Sequence, residues 1–314
     1  MLQVIATILL LFLALRKIDI ETLKGILSNT DFRLLFILPL FVIADLLINS
    51  YRVGSLYRFY GVKTKIIKIL LIKLQGTFFS LLFPLVGDAY KIQTFKNIYG
   101  ASYAKNSLVI ILDRLIFTFA LTVILAPVWL LHIIEVRPIF QWAIFGLLAV
   151  ELTVFYVLNK PAVFKYFSTL LLKLYPRWSF LKLNYISRNG YSREIFINTV
   201  IAAGRHFLTA FMYLTIAIMV LPHHDFSYGL FLLTVFSIIL SRVIPVSVGG
   251  IGLREYIAIA VFPQIGINPE YAFAIAIIVS FIGIIQGIAG GISFLWNRIN
   301  SFSGLVTSDQ HNNK

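Results

Sequence analysis

Three groups of ionisable residues interrupt otherwise apolar sequence, and their types suit the binding of an anion. The richest lies in Ile244 to Tyr256, which reads Ile-Pro-Val-Ser-Val-Gly-Gly-Ile-Gly-Leu-Arg-Glu-Tyr. Proline removes a backbone donor and glycine lowers the cost of leaving a helix, so this stretch reads as a broken helix. A half-helix starting near Gly252 presents free backbone N–H groups at its N-terminus, where its dipole favours negative charge. Gly249, Gly250 and Gly252 lead into that half-helix. Arg254, in its first turn, can hold a phosphate through two parallel hydrogen bonds. Glu255 can orient neighbouring groups or take up a proton. It is not expected to pair with Arg254, because adjacent helical side chains diverge.

The second group is Pro84-x-x-Gly87-Asp88-x-Tyr90-Lys91, and the third is the adjacent pair Asp113 and Arg114. The divergence argument applies to that pair too, so each needs a partner on another segment, with Asp88 and Glu255 as the available acids. A charge at mid-bilayer costs about 2.5–3.5 kcal/mol on insertion scales. Asp88, Arg114, Arg205, Arg242, Arg254 and Glu255 must therefore pair or meet water, either in a functional cavity or as ion pairs that lock a bundle. Arg205 and His206 lie in a segment longer than the ~20 residues a span needs, which places them near an interface where they can snorkel.

The bilayer enters this argument through composition. Of 314 residues, 59% are hydrophobic and 13% charged, and the mean hydropathy is +0.90. These values describe an all-α polytopic membrane protein, a single transmembrane domain over residues 1–314. The net charge of +14 fits cytoplasmic loops facing an anionic membrane surface and not nucleic acid. The absence of cysteine excludes disulfides, thiolate chemistry and iron–sulfur clusters. No catalytic triad, metalloprotease motif or glycosidase-like carboxylate pair stands out, and no cofactor or metal is expected. His223, His224 and Asp225 are read as capping a membrane-exit turn. Gly283, Gly287 and Gly291 form a small-xxx-small packing face.

Six full spans and two re-entrant segments account for the apolar runs. The spans are Leu2–Leu15, Leu34–Ile48, Leu108–Leu131, Ile139–Leu158, Phe196–Leu221 and Ala272–Trp296, the first retained and not a cleaved leader. Asp19 to Leu27 reads as a short amphipathic interfacial helix, and Arg52 to Lys68 as a basic connector. Lys160 to Arg193 is basic and amphipathic, either a helix lying on an anionic leaflet or a solvated loop. Two basic connectors belong on the cytoplasmic side, but three crossings would put them on opposite sides. Parity is restored if Ile69–Asp88 enters and leaves from the cytoplasmic face, with Pro84 and Gly87 making the reversal. Tyr228–Phe262 then re-enters from the other face. Paired interruptions of this kind suggest an inverted repeat with a site between its halves.

The order Pro84…Gly87-Asp88…Lys91, Asp113-Arg114-Leu115 and Pro245…Gly249-Gly250-Ile251-Gly252…Arg254-Glu255 resembles the lysylphosphatidylglycerol synthase transmembrane, flippase-like family. The resemblance covers nearly the whole chain. Family members usually carry Glu where Asp88 and Asp113 stand and Arg where Lys91 stands, so charge is kept while reach and fork geometry change. The resemblance implies lipid movement across a cell (inner) membrane. Lys91, Arg114 and Arg254 would hold a phosphate, and Asp88, Asp113 and Glu255 would balance charge or couple to protons. Implied partners are anionic membrane lipids and glycosyltransferase or envelope-synthesis proteins. Candidate substrates are phospholipids, aminoacylated phosphatidylglycerol and polyisoprenyl phosphates; lysyl transfer from tRNA is not carried over. The rival reading is a membrane-embedded enzyme or accessory subunit using Asp88 and Glu255 as an acid/base pair.

Overall fold

The computed structural model describes residues 2–131, 138–160, 191–222, 226–240 and 246–311, and the described residues are helical with short connections. The helices are α1 (Leu2–Leu15), α2 (Ile20–Asn29), α3 (Leu38–Phe59), α4 (Ile66–Leu82), α5 (Pro84–Tyr99) and α6 (Tyr103–Leu130). They continue as α7 (Pro138–Asn159), α8 (Tyr191–Val220), α9 (Tyr228–Ile239), α10 (Leu253–Val261) and α11 (Pro269–His311). The basic Lys160–Arg193 stretch lies almost wholly outside the described residues. So do His223, His224, Asp225, Arg242 and Pro245.

By length and apolarity, four helical segments can cross a membrane: Arg33–Phe59, Tyr103–Leu130, Ser192–Val220 and Pro269–Arg298. Their outward faces are apolar, with Leu40, Ile285 and Leu295 among the exposed side chains, as hydrocarbon requires. Helix α1 has 14 residues, so it rises only about 21 Å and stops short of a full core. Asp19 caps α2, its carboxylate accepting from the backbone of Glu21 and Thr22. These bonds, led by that from the Thr22 hydroxyl, hold the Asp19 carboxyl below its ordinary pKa.

The hydrogen bonds between helix ends fix how the chain alternates. At one end, Lys65 N–H donates to the Tyr99 hydroxyl and Lys105 Nζ to the Tyr60 carbonyl. This gathers the end of α3, the start of α4, the end of α5 and the start of α6. At the other end, Asp19 N–H donates to Glu270 and Asp31 N–H to the Met219 carbonyl, which gathers α1, α2, α8 and α11. Helices α4 and α5 thus form a hairpin that enters and leaves at the first end, with Phe83 extended between them and Pro84 opening α5. Helices α9 and α10, with 12 and 9 residues, are too short to cross and enter from the second end. The two hairpins come in from opposite sides, as the charge parity requires.

The boundary of the second span differs from expectation. Its helix runs on to Phe59 and carries Arg52 with it, buried, instead of ending before a basic connector. Nothing between Ile48 and Phe59 breaks a helix except Gly54, and the first left-handed residue is Gly61.

The hairpin is held by close backbone approach. Gly87 lies against Ser80 and the Gly76 carbonyl, and α11 meets α4 where Gly290 faces the Leu74 carbonyl and Gly291 faces Phe78. Tyr90 donates to Gln75 Oε1 at 2.6 Å, and Gln75 Nε2 donates to Ser293 at 3.2 Å, tying both hairpin arms to α11. A Cβ at Gly290 would sit 2.7 Å from the Leu74 carbonyl carbon, whereas Gly283 has open space. Gly290→Ala is therefore expected to destabilise the protein by about 1–3 kcal/mol through overpacking. Gly283→Ala should stabilise it by about 0.5–1 kcal/mol through helix propensity. Thermal unfolding of both variants in one detergent measures the contrast; equal behaviour would show that α4 and α11 do not pack this tightly.

Candidate functional site

The charged residues separate into two sets that share no member among the described residues. The first lies inside the α3–α6 half of the bundle. Asp113, about 15 Å along α6 from its start, receives Arg52 of α3 and lies 3.6 Å from Lys73 of α4. Its neighbour Arg114 diverges from it on the helix and pairs with Asp88 of α5, which is also 2.6 Å from Lys91 Nζ. The Lys91 stem lies across Gly76, so the missing side chain on α4 sets where that ammonium falls. Arg52 is 1% exposed and Arg114 57% exposed. The set thus runs from a sealed interior to an accessible rim.

Four cations face two carboxylates in this set. Such a surplus is costly inside a membrane unless an anion or water balances it. A nearby pair is balanced in charge: Arg205 of α8 makes two parallel bonds to Asp45 of α3, at 2.9 and 3.0 Å. This corrects the expectation that Arg205 and His206 snorkel at an interface. Both are buried, and His206 Nε2 bonds the Phe117 carbonyl.

The second set surrounds the glycine-rich turn. Gly249, Gly250 and Gly252 all have positive φ, the conformation glycine adopts without strain. A Cβ at Gly252 would also sit 2.7 Å from the Thr7 carbonyl of α1. The Thr7 hydroxyl accepts from Val248 N–H, so α1 covers the turn. Glu255 accepts from Gly252 N–H at 2.6 Å and from the Ser280 hydroxyl, and Arg254 donates to Ser280 and to the Gly249 carbonyl. Arg254 and Glu255 do not pair directly; Ser280 of α11 joins them.

This geometry alters the expectation for Arg254, Glu255 and the glycines. The Gly252 N–H expected to face an anion is occupied by Glu255, and Arg254 is 4% exposed with bonds to the protein. Both side chains brace the broken helix. The two halves do touch, through Leu81 at the tip of the α4–α5 hairpin, which lies 3.7 Å from where a Gly249 Cβ would stand. That contact is apolar. Asp88 and Glu255, the candidate acid/base pair, sit in different sets, each already bonded to its own neighbours.

The sequence alone does not single out Arg52, Lys73 or the Asp45–Arg205 pair. Lys73 was visible as a charge interrupting an apolar run, but its partner on α6 was not. Arg52 was hidden because a basic residue between two spans looks like connector.

A sequence profile described as lysylphosphatidylglycerol synthase TM region matches residues 1–291, and the chain belongs to that family. No curated protein and no solved structure matches it. It is a multi-pass membrane protein tied to lipid metabolism.

The two sets respond differently to truncation. Arg254→Ala removes buried bonds to a charged donor and should cost about 1.5–3 kcal/mol of stability. Arg114→Ala leaves Asp88 with Lys91 and removes a half-exposed side chain, so unfolding should shift little. Denaturation of the two variants side by side tests this; a fully stable Arg254→Ala protein would show that the turn does not depend on its arginine.

Proposed function

We propose that this member of the lysylphosphatidylglycerol synthase TM-region family moves a phosphate-bearing lipid across the bilayer, using the charged cluster on α3–α6 to hold the headgroup. The observation that supports this reading is the excess of cations within the bundle: Arg52, Lys73, Lys91 and Arg114 against Asp88 and Asp113. Lys91 and Arg114 are the accessible members and meet the phosphate first, while Asp88 and Asp113 keep the cations in place between lipids. The acyl or isoprenyl tails stay in the membrane beside the hairpin.

The arrangement of ends supports a direction of entry. Arg58, Lys63, Lys65, Lys68, Lys96 and Lys105 crowd the end at which the α4–α5 hairpin opens. At the opposite end Arg16, Lys17, Lys24 and Arg33 are matched by Asp19, Glu21, Asp31 and Glu270. The positive-inside rule puts the basic end in the cytoplasm. The cluster is then reached from the cytoplasmic leaflet, and the opposing hairpin, meeting it at Leu81 and Gly249, forms the second gate.

Reconstituted vesicles test the reading. Wild-type protein should speed exchange of a short-chain fluorescent phosphatidylglycerol, or of a fluorescent isoprenyl phosphate, between leaflets. Arg114→Ala should slow it at least about tenfold, the worth of one charge-assisted hydrogen bond, without loss of folded protein. Exchange of both lipids at the rate of protein-free vesicles would reject translocation.

A further inference from the structure

Beside the ion pairs lies a small cleft of about 270 Å³, counted with its open mouth, between α3, α4, α5 and α6. Tyr57, Lys73, Lys91 and Asp113 line it, together with apolar side chains that include Val109 and Ile110. Tyr57 is 0% exposed, stacks on Phe95 at 4.3 Å, and its hydroxyl has no hydrogen-bond partner. A buried hydroxyl left unbonded is costly, and the cost is recovered when a ligand supplies the acceptor. Each lysine ammonium has three donors, so Lys73 and Lys91 can each keep a carboxylate and still donate into the cleft. Asp113 is itself an acceptor there, but Arg52 and Lys73 hold its charge.

We propose that this cleft is the headgroup subsite and that it selects a phosphate monoester dianion, the terminal phosphate of a lipid monophosphate, over a phosphodiester. The proposal rests on the translocase reading for its lipid part. Two features fix the class. The surplus of two positive charges over the whole set, counting Arg52, Arg114 and Asp88 outside the cleft lining, is matched by a monoester, which carries nearly two negative charges at neutral pH and three acceptor oxygens. The cleft offers three donor groups, the Tyr57 hydroxyl and the Lys73 and Lys91 ammoniums. A diester brings one charge and two free oxygens. A headgroup bearing amines brings positive charge into an already cationic site. The apolar walls exclude water and sharpen the discrimination.

Farnesyl phosphate and its methyl phosphodiester share one tail and differ by one charge and one free oxygen, so they are the probes. Binding of each to purified protein in detergent should favour farnesyl phosphate by at least about tenfold. Its affinity should rise with pH through about 6, where the monoester loses its second proton, while the diester's stays flat. Tyr57→Phe keeps the stacking ring and should unfold at an equal or higher temperature, yet lose most of the preference; Lys91→Gln should lose it as well. Equal binding of the two esters overturns the dianion selectivity while leaving lipid translocation to its own vesicle measurement. Undiminished preference in Tyr57→Phe overturns the placement in this cleft. Inorganic phosphate binding as tightly as farnesyl phosphate would make the site one for free phosphate and overturn the lipid assignment.

Discussion

Asp113 is shared by Arg52 and Lys73, and through them α3, α4 and α6 are joined deep inside the bundle. In water such contacts would be worth little. In a bilayer they decide the arrangement, because separating the helices would leave each charge in hydrocarbon at a cost of several kcal/mol. The hairpin of α4 and α5 is too short to be secured by spanning the membrane. It is secured by this shared carboxylate on one side and by glycine-mediated contact with α11 on the other. One arm of the site is thus also the anchor of the element that carries it.

The same constraint explains why the charged motifs of the chain's two halves have become different things in space. The Gly249 to Glu255 turn satisfies its polar groups from within: Glu255 caps the half-helix, Arg254 closes onto Ser280 and a carbonyl, and α1 covers the glycines. The Asp88 and Asp113 motifs satisfy theirs only in part, leaving more cations than carboxylates and a tyrosine hydroxyl without a partner. A polar group that is already bonded has little to gain from a ligand. The accessible charges therefore lie in the first half of the chain, and the second half supplies a turn against which the hairpin tip rests.

The apolar core follows this division. One cluster, around Phe231, Phe262 and Ala274, packs α1, α2, α8, α9, α10 and α11 about the braced turn. A second, around Tyr57, Phe95 and Leu112, encloses the cationic set. The separation gives the two hairpins their own supports, with α3, α6, α7 and α8 running through both clusters.

Apolar runs and Pro84 determine the helical class and the hairpin from sequence alone, because hydrocarbon thickness and a missing backbone donor act locally along the chain. The divergence of adjacent helical side chains likewise gives Asp113 and Arg114 separate partners, Asp88 among them. What sequence could not decide was which charges are spent. Arg254 and Arg114 look alike in the chain, yet one is sealed against Ser280 and the other stands half-exposed beside Asp88. Arg52 looked like a connector residue and is buried; Lys73 and Tyr57 gained their meaning only when α3, α4 and α6 met. Pairing energy depends on groups distant in sequence and on the solvent they lose together, and only the tertiary structure sets both.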